Sequence, residues 1–208
     1  MTGSDGETAA PTGRMLYARS RGIPATLAVL ATTAGLAVWA AYGLDAYLDP
    51  KRRVPVVAIA PLLASAVIST SFHQYADELD RTAVRPWWPR RLAHLLALTV
   101  LAAASLALAV LGHTTEFGAP AMVRNTLGAV GIATASAALI GARLSWLPTF
   151  AYLSAIYLGT PGVHGGWAAV WAWPMQPGRQ PAAWATAGAA YVAGSTLYAW
   201  RGSRREGP

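Results

Sequence analysis

The chain has 208 residues, of which 54% are hydrophobic and only 12% charged, with a net charge of +7 and a mean hydropathy of +0.36. A soluble domain carries about 25% charged residues, so this balance excludes an ordinary one and points to a membrane protein. Cysteine is absent, which removes disulfides, thiol chemistry and cysteine-ligated metals from consideration.

Residues 1–22 read as a cytoplasmic tail. "MTGSDGETAAPTG" has the Gly, Ser, Thr and Pro content of a disordered segment, and Arg14, Arg19 and Arg21 follow it. The first apolar run, 23–42, is longer than the core of a signal sequence, and no small-x-small cleavage site follows it, so it reads as a retained span. Three more runs, 54–72, 92–111 and 182–200, are also nearly free of charge. Each is about 19 or 20 residues long, enough to cross roughly 30 Å of hydrocarbon as a helix. Residues 122–142 predict a fifth helix, with Arg124 and Asn125 at one end, where a long side chain can snorkel to the interface. A shorter run, 146–158, predicts a sixth.

The expected fold class is therefore all-α: a polytopic membrane protein with six transmembrane helices over 23–200 and a re-entrant or interfacial segment, an outer hairpin at about 160–181, before the last. With both termini cytoplasmic, eleven of the sixteen Lys and Arg residues fall inside, the asymmetry that the positive-inside rule expects. The loop holding Lys51, Arg52 and Arg53 goes against it, partly neutralised by Asp45 and Asp49. The expected location is the cell membrane, multi-pass, with 201–208 as a second cytoplasmic tail. The basic balance does not imply nucleic acid, because no basic stripe interleaved with aromatics sits on a soluble module.

Chemistry at membrane depth needs polar groups there. None of the nine acidic residues falls mid-span, and His73, His94, His113 and His164 sit at helix ends or in loops without ligand spacing. No catalytic residue, metal or cofactor is expected. Ser65, Ser69, Thr70, Ser105, Thr134, Ser136, Ser154 and Ser195 are expected to bond back to their own helices rather than line a polar path. Small residues around Gly188 and Gly194 permit close helix packing. The chain has no GxxxxGK[ST] motif, so any ATP hydrolysis belongs to a partner.

The densest charge lies in "HQYADELDRTAVRPWWPRR", residues 73–91, on the cytoplasmic side between the second and third spans. Asp77 with Arg81 and Glu78 with Arg81 have helical spacing, each pair contributing a few tenths of a kcal/mol. Tyr75 and Leu79 give the other side a modest apolar stripe, so 73–85 reads as a short amphipathic helix that Pro86 ends. Trp87 and Trp88 suit the headgroup region, and Arg90 and Arg91 anchor the start of the third span. The segment is either an interfacial anchor or a docking element for a cytoplasmic partner.

Six spans with both ends inside, a charged helix in the first cytoplasmic loop and a Trp- and Pro-containing insert before the last span together resemble the membrane subunit of an ABC-2 type exporter. "WAWPMQP" looks like the aromatic and proline phrase of small actinobacterial permeases, and fifteen arginines to one lysine fits a GC-rich genome. The resemblance implies that Asp77, Glu78, Asp80, Arg81 and Arg85 dock a separate ABC ATPase subunit, with Pro86 closing the coupling helix. It implies a homodimer, or a heterodimer with a second permease, in contact with membrane lipid, and it names no substrate residue. The chain is shorter than typical family members and its first outer loop is unusually basic. The alternative is a non-transporting membrane interaction, immunity or regulatory protein, for which the same segment would serve.

Overall fold

A computed structural model describes residues 23–43, 54–72, 88–111, 117–159 and 164–204. All regular structure among them is helical. The long helices are α1 (Ile23–Gly43), α2 (Val54–Thr70), α3 (Trp88–Ala109), α4 (Ala119–Ile140) and α5 (Trp146–Gly159). A single turn, α6 (Ala168–Trp171), and a 3₁₀ turn (Trp173–Met175) precede the last helix, α7 (Pro181–Arg201). Two of these, α3 and α4, are long and apolar enough to cross a membrane, while α1 and α2 are apolar along shorter stretches, Pro24–Ala40 and Val57–Thr70. At 14 residues, α5 rises only about 21 Å.

α4 is the hub. It packs most extensively on α7, then on α2 and α3, and it buries Ala121, Met122, Ala129, Val130, Ala133 and Ala137. Its contact with α7 is close because glycines leave the backbones bare: a Cβ on Gly194 would run into the carbonyl of Gly131, and one on Gly131 into the backbone of Ala190. Apolar side chains gain little by leaving lipid for a helix interface, so such close van der Waals contact is what holds helices together in a bilayer. Gly188, in the same run of small residues, makes no such contact: a Cβ there would meet nothing among the described residues.

α7 runs parallel to α4. Residue 131 lies against 190–194, and beyond the end of α7 the Arg204 N–H donates to the Ala137 carbonyl at 2.9 Å. The ring of Phe72, just after α2, stacks on Tyr198 at 4.1 Å, and Arg91, early in α3, lies against Gly202. The C-terminal ends of α2, α4 and α7 and the start of α3 therefore share one end of the bundle. Residues 164–180 lie at the other.

Polarity is distributed inside out. Val100, Leu108, Leu158, Val192 and Trp39 are each more than 60% exposed, while Ser65, Thr99, Arg124, Asn125, Thr126, Thr134 and Gln176 are buried. Most interior hydroxyls bond to their own helix, as the sequence led us to expect: Ser65 to Leu62, Ser69 to Ala66, Thr99 to Leu95, Ser105 to Ala102, Thr134 to Gly131 and Ser136 to Ile132, all at carbonyl oxygens. Ser195 departs from this, its buried hydroxyl having no partner among the described residues.

Candidate functional site

Residues 164–180 follow α5 and turn back into the bundle. Ala168, Ala169, Ala172, Trp173, Pro174, Met175 and Gln176 are all buried. The Trp173 ring sits where a Cβ on Gly128 would be and stacks on Tyr152 with centroids 6.1 Å apart. Counting about 1.5 Å per residue from Ala119, Arg124 lies roughly 8 Å and Gly128 roughly 14 Å along α4, so the segment reaches well into the helical layer.

Irregular backbone at that depth needs partners for its carbonyls. Five side chains, Arg124, Asn125, Gln176, Tyr152 and Trp184, bond to this backbone. Arg124 Nη2 and Nη1 donate to the Gln176 and Pro177 carbonyls, both at 2.7 Å, and its Nε donates to Asn125 Oδ1 at 3.1 Å. Asn125 Nδ2 donates to the Pro174 carbonyl at 2.9 Å and to the Val57 carbonyl of α2 at 3.0 Å. Gln176 Oε1 accepts from the Gly165 N–H at 2.9 Å. Tyr152 donates to the Trp171 carbonyl at 2.6 Å, and the Trp184 indole to the Gly178 carbonyl at 2.8 Å.

Arg124 is thus placed differently from the sequence expectation. It does not snorkel, because the segment before α7 folds over it and offers carbonyls closer than the interface. The partners it has among the described residues are not carboxylates, all nine Asp and Glu of the chain lying outside them. Among the described residues, two backbone carbonyls and the Asn125 amide oxygen hold its charge. Sequence inspection missed Gln176 as its partner, 52 residues away, although a Gln within an aromatic and proline run was a visible signal.

The predicted docking residues Asp77, Glu78, Asp80, Arg81 and Arg85, with the anchor Trp87, lie outside the described residues. Trp88, Arg90 and Arg91 belong to the first turn of α3, four residues earlier than the predicted start of that span. Trp88 and Arg90 are exposed, and they stand at the bundle end shared by Arg143, Arg201 and Arg204, which are exposed as well. Arg204 Nη1 donates to the Leu139 carbonyl at 3.0 Å, a cation at the C-terminal end of α4 where the helix dipole favours it.

Between α2 and α5 lies a groove of about 470 Å³, lined by Ala58, Ile59, Leu63, Trp146, Phe150 and Tyr157 among others, which offers almost only apolar contact. Among the described residues, no three His, Asp or Glu side chains converge as metal ligands would. No family model, curated protein or solved structure matches the chain.

Proposed function

We propose that this chain is a six-span integral membrane protein with cytoplasmic termini that serves as the membrane subunit of an ABC-type exporter. The membrane reading is supported by the inside-out polarity: large apolar side chains cover the outside of the bundle, and the buried polar ones sit within it. The proposed orientation is supported by Arg90, Arg91, Arg143, Arg201 and Arg204 at one end, the end from which residues 73–87 depart and return. The single observation that supports the exporter reading is the buried, largely irregular segment between the fifth long helix and the last, which we read as re-entrant and which lies at the position where the sequence resembles that family. In this reading Glu78 and Arg81 meet the ATPase, and no substrate-binding residue is assigned.

Two experiments test it. Because the chain has no cysteine, single cysteines at Trp167 and Ser203 can be introduced directly. A membrane-impermeant maleimide should label the first in intact cells and the second only after the cells are opened, and the reverse pattern would refute the orientation. Affinity purification from native membranes, beside a double charge reversal at Glu78 and Arg81, should recover a P-loop ATPase with the wild type and lose it with the variant.

A second reading, a non-transporting membrane interaction protein, is favoured by one feature. The buried Arg124, Asn125 and Gln176 bond mainly to backbone that they hold in place, rather than facing a path. Absence of any ATPase from both purifications would put this reading first.

A further inference from the structure

Two carbonyls without backbone donors meet at one side chain. Pro61 lies inside α2, and its missing N–H is the one that would have bonded to the carbonyl four residues back, that of Val57. The 3₁₀ turn Trp173–Met175 closes with the Gln176 N–H on the Trp173 carbonyl at 3.3 Å, and Gln176 itself is extended (φ −85°, ψ 152°), so the ladder ends there and the Pro174 carbonyl is left without a backbone donor. The two carbonyls orphaned in these ways, Val57 and Pro174, are the two that accept from Asn125 Nδ2. An amide nitrogen carries two N–H groups, so one side chain replaces both missing donors. The orientation of that amide is fixed by its other end, since Asn125 Oδ1 accepts from Arg124 Nε.

We propose that Asn125 is a coupling residue, a surrogate backbone donor for the carbonyl freed by Pro61 and for the one left open at the end of the 3₁₀ turn, which ties the segment before α7 to the broken turn of α2. Through it, a displacement of residues 173–177 leaves the Val57 carbonyl unpaired as well, so the segment and the middle of α2 release together rather than one at a time. Below that turn α2 has intact helical spacing down to Thr70, at the end of the bundle where the charged stretch 73–91 begins. The inference rests on the fold and holds under either functional reading.

The test is a set of alanine variants of the full chain in detergent. In the wild-type background Asn125→Ala strands two carbonyls, and its Tm should fall by roughly 5–10 °C, or the protein should fail to fold. In Pro61→Ala the Val57 carbonyl regains a backbone N–H and only the Pro174 carbonyl still depends on the amide, so adding Asn125→Ala there should cost roughly half as much. A cysteine at Trp167 adds a second readout: its maleimide labelling should quicken several-fold with Asn125→Ala and stay quick in Asn125→Ala/Pro61→Ala, where the Pro174 carbonyl is still without a donor. Equal cost of Asn125→Ala in both backgrounds would overturn the proposal, since the side chain would then be ordinary packing. So would failure of Pro61→Ala to fold with Asn125 retained, since the restored donor should be accepted there.

Discussion

Arginine plays opposite parts at the two ends of this bundle. At one end Arg90, Arg143, Arg201 and Arg204 are exposed, and the outward-facing charge costs little there. At the other, Arg124 is fully buried, its guanidinium spent on two carbonyls of the segment before α7 and on Asn125. On the membrane reading proposed above, the difference teaches that position along a helix, more than residue type, decides whether a cation sets orientation or builds the interior. An exposed arginine is read by the membrane as a whole, whereas a buried one is read by the atoms it touches.

The sharpest way to break this contrast is Arg124→Met. A side chain of similar length keeps the volume but leaves the Gln176 and Pro177 carbonyls without that donor, and the expected loss is about 2–4 kcal/mol, measured by thermal unfolding in detergent. Arg124→Lys should fall between the two, because a point charge cannot serve two carbonyls with the geometry of a planar fork. Equal stability of the Met variant and the wild type would mean that the segment is held by Trp173 packing alone. Next in size is Gly194→Ala, which places a methyl against the Gly131 carbonyl and should cost about 1–3 kcal/mol as α7 is pushed from α4.

Much of the helix layout was legible in the sequence because apolar runs of span length have few other uses. Predicted runs 23–42, 54–72 and 182–200 correspond to helices at Ile23–Gly43, Val54–Thr70 and Pro181–Arg201. The placement of Arg124 was not legible. Its carbonyl partners are backbone atoms of residues 176 and 177, and backbone atoms leave no mark on composition or periodicity. Asn125 was within reach in part: a proline inside an apolar run announces an orphaned carbonyl four residues earlier, though not which distant amide will serve it. Nor could small-residue spacing tell Gly194, which meets α4, from Gly188, which meets nothing among the described residues, because the two lie on different faces of one helix in so alanine-rich a run.

That last pair supplies a smaller prediction. Gly188→Ala has open space around its new methyl and removes a flexible residue from a helix interior, so it should raise stability by up to about 1 kcal/mol, opposite in sign to Gly194→Ala. A loss at both positions would mean that Gly188 also packs against a neighbour, such as a second copy of the chain.

The smallest effect belongs to the exposed end. Arg201 closes α7 with its side chain outward, so Arg201→Gln removes a favourable cation from the last turn but strands no buried atom. Its Tm should change by less than about 2 °C, against the large drop for Arg124→Met. If exposed arginines act on orientation, they act while the chain inserts and not on the folded bundle afterwards, and four neighbours at the same end share the task. A drop for Arg201→Gln as large as that for Arg124→Met would mean that this end, too, is built from specific contacts, and the contrast between the two ends would fail.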